Sequence, residues 1–115
     1  MISNPNVTFD YVNNIIYFKS KESDIDTSKL CEEIKTELIV IYKESGKSIT
    51  LDFKDLIIES SFYVDELIGK LVVELGFYSF NNIFKLKNMN TSVQSIVQRT
   101  VALRMIESFD SNQEK

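Results

Sequence analysis

Apolar positions along the 115-residue chain change period several times, and each change marks an element. VTFDYV and IIYFKS run apolar or alternate, with β-branched and aromatic types. Asn13-Asn14 lies between them and tolerates the positive φ of a tight primed turn, so the pair predicts a β-hairpin. KSKESDID is polar, reads as a loop, and delivers a helix cap at Asp26 or Thr27. Leu30, Ile34, Leu38 and Ile41 then recur at helical spacing as far as Gly46, predicting a helix over 28–45. Ile49, Leu51 and Phe53 alternate with Ser48, Thr50 and Asp52, the period of a strand.

Val64, Leu67, Ile68, Leu71, Val72 and Leu75 form one apolar helical stripe that must be buried, and Gly76 ends it. NIFKLKN predicts a short strand. Thr91-x-x-Gln94 has the form of a capping box and opens a helix over 91–107, leaving 108–115 as a frayed tail. The resulting order is β-β-α-β-α-β-α in one α/β domain spanning 1–115, with no internal repeat and no linker. Strands separated by helices need crossover connections, so the sheet is expected to be mixed and mostly parallel, with an antiparallel N-terminal hairpin.

Composition narrows the function classes. A 43% hydrophobic content is enough for a core at this length. Net charge is −4 with Lys and Arg scattered, which argues against nucleic acid or an anionic membrane as partner. The lone Cys31 has no partner for an internal disulfide, and no secretory or spanning segment is evident, so a cytoplasmic location is expected. The absence of histidine removes the commonest general base and every His-ligated metal site. No cofactor and no catalytic residue is expected.

The stretch LDFKDLIIESSFYVDELIGKLVVELGFYSFNNIFKLKN, with SSFYVDELIGKL at its most specific part, resembles the STAS-like family over about 49–104. These are bacterial relatives of the sulfate-transporter and anti-sigma-factor-antagonist domains. The resemblance implies a strand leading into a loop with an Asp-Ser pair, the serine being phosphorylated by a partner kinase. Glu59-Ser60 stands where that pair would, and Ser61-Phe62-Tyr63 replaces a glycine expected just after it. The partner implied is a protein, an ATP-binding kinase or an anti-sigma-type regulator.

Ser60 and Ser61 each admit two readings. Serine is among the best N-cap residues, and a phosphate is also favoured at a helix N-terminus. Asp65 and Glu66 fall early in the same helix, where carboxylates stabilise it, and Glu66 with Lys70 is a favourable surface pair. Gly69 costs its helix about 1 kcal/mol relative to alanine, so a close approach by another backbone is expected. That approach comes either from a partner or from a second helix of the chain, with Glu66, Gly69, Lys70 and Val73 sharing the face concerned. The reading is a non-catalytic regulatory binding module. Its alternatives are an oligomerising subunit that pairs with itself as a homodimer, and a metal-dependent nuclease built on Asp52-Phe53-Lys54.

Overall fold

A computed structural model describes residues 7–19, 26–56 and 61–113, with the side chains of 61–65 and 108–113 left aside. Strand β1 (Val7–Asp10) pairs antiparallel with β2 (Ile15–Phe18). Helix α1 (Thr27–Ser45) crosses over to β3 (Ile49–Asp52), which lies parallel to β2. Helices α2 (Ser61–Leu75) and α3 (Phe77–Ile83) lead to β4 (Phe84–Lys87), parallel to β3, and α4 (Thr91–Gln113) follows. Strand order in the sheet is chain order, β1-β2-β3-β4.

Both parallel crossovers run in the same direction across the sheet. Right-handed connections therefore place their helices on one face, where α2 packs between α1 and α4. Register fixes which side chains point to that layer. Val7, Ile16, Phe18, Ile49, Leu51 and Phe84 are buried on the helix side, with Phe9 and Leu86 packed against them. The helices answer with Leu30, Ile34 and Leu38 from α1, Leu67, Ile68, Leu71 and Val72 from α2, and Val93 and Val97 from α4. Phe18 and Phe53 stack with centroids 5.2 Å apart, closing the core at the carboxyl ends of β2 and β3. The α2 stripe behaves as its period requires, Leu75 being partly buried. The Val64 side chain lies outside the described set.

Four local features differ from the sequence reading. The hairpin turn is a four-residue segment, 11–14, rather than a two-residue turn on the asparagines. The Asp10 carboxylate accepts the Val12 and Asn13 amides at 3.0 and 3.1 Å and the Asn13 side-chain amide at 2.8 Å, and of the two asparagines only Asn14 has positive φ, 54°. An additional helix, α3, occupies the start of the stretch read as a strand. Gly76 (φ 82°) donates to the Val72 carbonyl at the end of α2 and accepts from Phe80 at the start of α3, so one residue serves both helices. The cap of α4 is Asn90, whose side chain accepts the Val93 amide at 2.9 Å, so Thr91 is the first helical residue and not the cap. Finally, α4 runs to Gln113 instead of ending near 107, since no glycine or proline follows to stop it.

Candidate functional site: the outward edge of helix α2

Asp26 caps α1 by accepting the Lys29 amide, and Gly46 (φ 66°) ends it in the left-handed region. These stops fix the helix beside α2, so that Glu32 and Lys35 face Lys70 and Glu74. Lys35 Nζ lies 2.9 Å from Glu32 and 3.6 Å from Glu74, while Lys70 Nζ lies 3.6 Å from Glu32 and 4.0 Å from Glu66. The anticipated Glu66–Lys70 pair is present, yet the cross-helix contact to Glu32 is shorter. Two lysines are shared among three carboxylates, so every ammonium is paired and the network keeps a small negative excess.

Protonation follows this geometry. The hydrogen bond from Lys35 holds the Glu32 carboxyl below its usual range, and the same bond raises the Lys35 ammonium above its own. Isolated exposed pairs contribute little to stability, and the network's main effect here is to hold long side chains in one arrangement.

On the other side of α2, Arg104 of α4 covers Gly69. A Cβ built on that glycine would sit 3.0 Å from the Arg104 Nε and 3.2 Å from Nη2. The glycine is therefore explained by a neighbouring helix of the same chain, and what approaches is a side chain. Arg104 is held in turn by Glu107 at 3.1 Å. Glu32, Lys35, Gly69, Lys70, Val73, Glu74 and Arg104 line a shallow groove of about 280 Å³ along this edge.

Apolar side chains are exposed at the end of α2 and the start of α3. Val73 is 62% exposed, and Phe77 and Tyr78 at the start of α3 are 39% and 81% exposed. The period of α2 gave Val73; the two aromatics were missed because α3 itself was not anticipated. Gly69, Lys70 and Val73 are thus brought together, with Glu66 joined to them through Lys70. Ser61 is the first residue of α2, and the backbone of Asp65 lies in its second turn, but neither side chain is among those described. Glu59 and Ser60 lie outside the described residues.

Asp52 of β3 takes a local role. Its Oδ1 accepts the Lys54 amide and its Oδ2 accepts the Asn88 side-chain amide, both at 3.0 Å. The residues in register with it on the adjoining strands are Tyr17 and Lys87, neither of them an acid. Among the described residues no group of three acids, cysteines or histidines is placed to hold a metal ion, and no helix is long and apolar enough to cross a membrane.

Among the described residues, a single layer of helices on a four-stranded mixed sheet, with a groove along the helix that follows β3, defines a small α/β domain of STAS-like type. Residues 28–94 match the family described as a STAS-like domain of unknown function (DUF4325), and the chain belongs to that family. No curated protein and no solved structure matches it significantly.

Proposed function

We propose that the protein is a non-catalytic, cytoplasmic binding module that docks a regulatory protein partner along α2. The observation that carries this is the exposure of Val73, which lines the ion-paired groove, together with that of Phe77 and Tyr78 at the start of the next helix. Apolar and aromatic anchors beside a ring of satisfied charges are the usual composition of a protein–protein contact, and aromatics supply much of its energy. The family's resemblance to anti-sigma-factor antagonists supports a kinase or anti-sigma-type partner. Ser60 or Ser61, at the entrance to the same helix, would then be the hydroxyl through which a partner kinase controls binding. Asp52, with both oxygens engaged by local donors, supports binding rather than metal-dependent catalysis.

The test compares the wild type with a Val73→Asp/Tyr78→Asp variant as baits in the native host, with quantitative mass spectrometry of what each retains. One regulator lost by the variant is the expected result; identical retention defeats the reading. Intact-mass analysis of the host-expressed protein should show a phosphorylated fraction mapping to Ser60. Absence of phosphate under all growth conditions would remove the switch and leave the docking edge.

Self-association has its own support. Leu103, Met105 and Ile106 of α4 are 52%, 43% and 56% exposed within a single turn. Light scattering decides it: the 13.3 kDa monomer mass over a wide concentration range would exclude the homodimer.

A further inference from the structure

The sheet has a second face, and its composition differs from the rest of the molecule. The register places two rows across it, Thr8, Tyr17, Asp52 and Lys87 in one, Asp10, Ile15, Thr50 and Lys85 in the other. The three helices that pack together lie on the opposite side. Parallel strands are usually covered on both faces, yet here Lys85, Lys87 and Thr8 are exposed, and Ile15, Tyr17 and Thr50 are only partly buried.

Charge on this face is mixed, with Lys54, Lys85 and Lys87 set against the carboxylates of Asp10 and Asp52, so the lysines are in slight excess. Asp52 is held by the Lys54 amide and Asn88, and Asp10 by the amides of its own turn. Lys54 lies over the Tyr17 ring, 5.0 Å from its centroid. Lys85 and Lys87 make no ion pair among the described residues. A chain of net charge −4 therefore presents a local excess of lysine, Lys54, Lys85 and Lys87 against Asp10 and Asp52, around a partly buried floor of Ile15, Tyr17 and Thr50 on which no helix packs among the described residues.

Lysines on an edge strand such as β4 also discourage pairing with another chain's edge. That accounts for Lys85 and Lys87, but not for Lys54, which follows the interior strand β3 and reaches over Tyr17 on β2. The lysines thus extend from the edge inward.

We propose that this face is a second docking surface, and that its occupant is an acidic, partly aliphatic segment of a protein. Carboxylates would meet Lys54, Lys85 and Lys87, while aliphatic side chains would cover Ile15, Tyr17 and Thr50. Charge complementarity of this kind mainly sets specificity and the rate of encounter. A nucleic acid strand is the less fitting polyanion. The chain as a whole is acidic, and the Tyr17 ring on which a base would stack already carries Lys54.

The experiment titrates isotope-labelled protein with a synthetic peptide alternating glutamate with valine and, separately, with oligothymidylate. Amide shifts on peptide addition are expected at Ile15, Tyr17, Thr50, Lys85 and Lys87. The Lys85→Glu/Lys87→Glu variant should weaken peptide binding by about tenfold or more, through like-charge repulsion, with an unchanged circular dichroism spectrum. Lys85→Met/Lys87→Met should fall between that variant and the wild type. Peptide shifts confined to the helices, or none at all, overturn the proposal. Tighter binding of oligothymidylate than of peptide on this face overturns it in favour of nucleic acid. The Val73→Asp/Tyr78→Asp variant should bind the peptide normally, which keeps this surface distinguishable from the α2 edge.

Discussion

The guanidinium of Arg104 lies across Gly69, within 3.0 Å of where a β-carbon would stand, and ties the late part of α4 to the middle of α2. A glycine inside a helix is worth about 1 kcal/mol less than alanine, and the group that would be displaced is the end of a flexible, 40% exposed side chain. Gly69→Ala should therefore stabilise the protein by up to about 1 kcal/mol in urea titrations. The gain should be larger in an Arg104→Ala background, where nothing has to move. Gly69→Arg should instead lower stability, because a second guanidinium would compete for the place of the first. Destabilisation by Gly69→Ala of more than about 1 kcal/mol would show that the close approach is required for packing.

Leu71 is fully buried between the sheet and the neighbouring helices. Leu71→Ala should destabilise by about 2–5 kcal/mol, the range for deleting a buried leucine side chain and leaving a cavity. Chemical denaturation measures it, and a loss below about 1 kcal/mol would contradict the packing described.

The cap of α4 gives a paired test. Asn90→Ala should lower stability by about 0.5–2 kcal/mol through loss of the bond to the Val93 amide. Thr91→Ala, at the first helical position, should cost much less. The reverse order in thermal melts would restore the capping box on Thr91.

Asp10 supplies a pH-dependent signal. The Asn13 side-chain amide, followed by the Asn13 and Val12 backbone amides, holds its carboxyl below the usual range. A lowered folded-state pKa favours the native turn above the ordinary carboxylate value, and this preference is lost as pH falls through the lowered one. The Val12 and Asn13 amide resonances should therefore titrate together in acid, with a midpoint below that of an ordinary aspartate. In Asp10→Ala that joint transition should disappear. A midpoint at or above the ordinary value would contradict the turn geometry.

Long periodic segments were legible in the sequence. The α2 stripe, the α1 stripe ending at Gly46 and the alternation in β3 each carry enough repeats to fix period and face, and with them the parallel order of β2, β3 and β4. What escaped was short or non-local. Helix α3 has seven residues, too few for a periodic signal, and begins directly after a glycine that already served as a stop. Thr91 resembled a cap because Gln94 stands three residues later, while the competing Asn90 is an equally good capping residue one place earlier. At the candidate site the face holding Gly69, Lys70 and Val73 followed from helical spacing alone. The neighbour of Gly69 did not, since Arg104 reaches it from a different helix and no local pattern encodes that meeting. Likewise, the lysines of the open sheet face are separated along the chain and become one patch only through strand register.

Strand order that copies chain order has a consequence for how the molecule is made. Each strand after the first finds a sheet neighbour among residues already synthesised, and each crossover helix follows a strand pair that is already complete. The hairpin closes over a short turn, whereas each parallel pair closes over a whole crossover helix, so the entropy lost is smallest at the first pairing and larger at the two that follow. Within this domain the hairpin is synthesised before the crossovers and α4 after them, so folding can proceed by accretion.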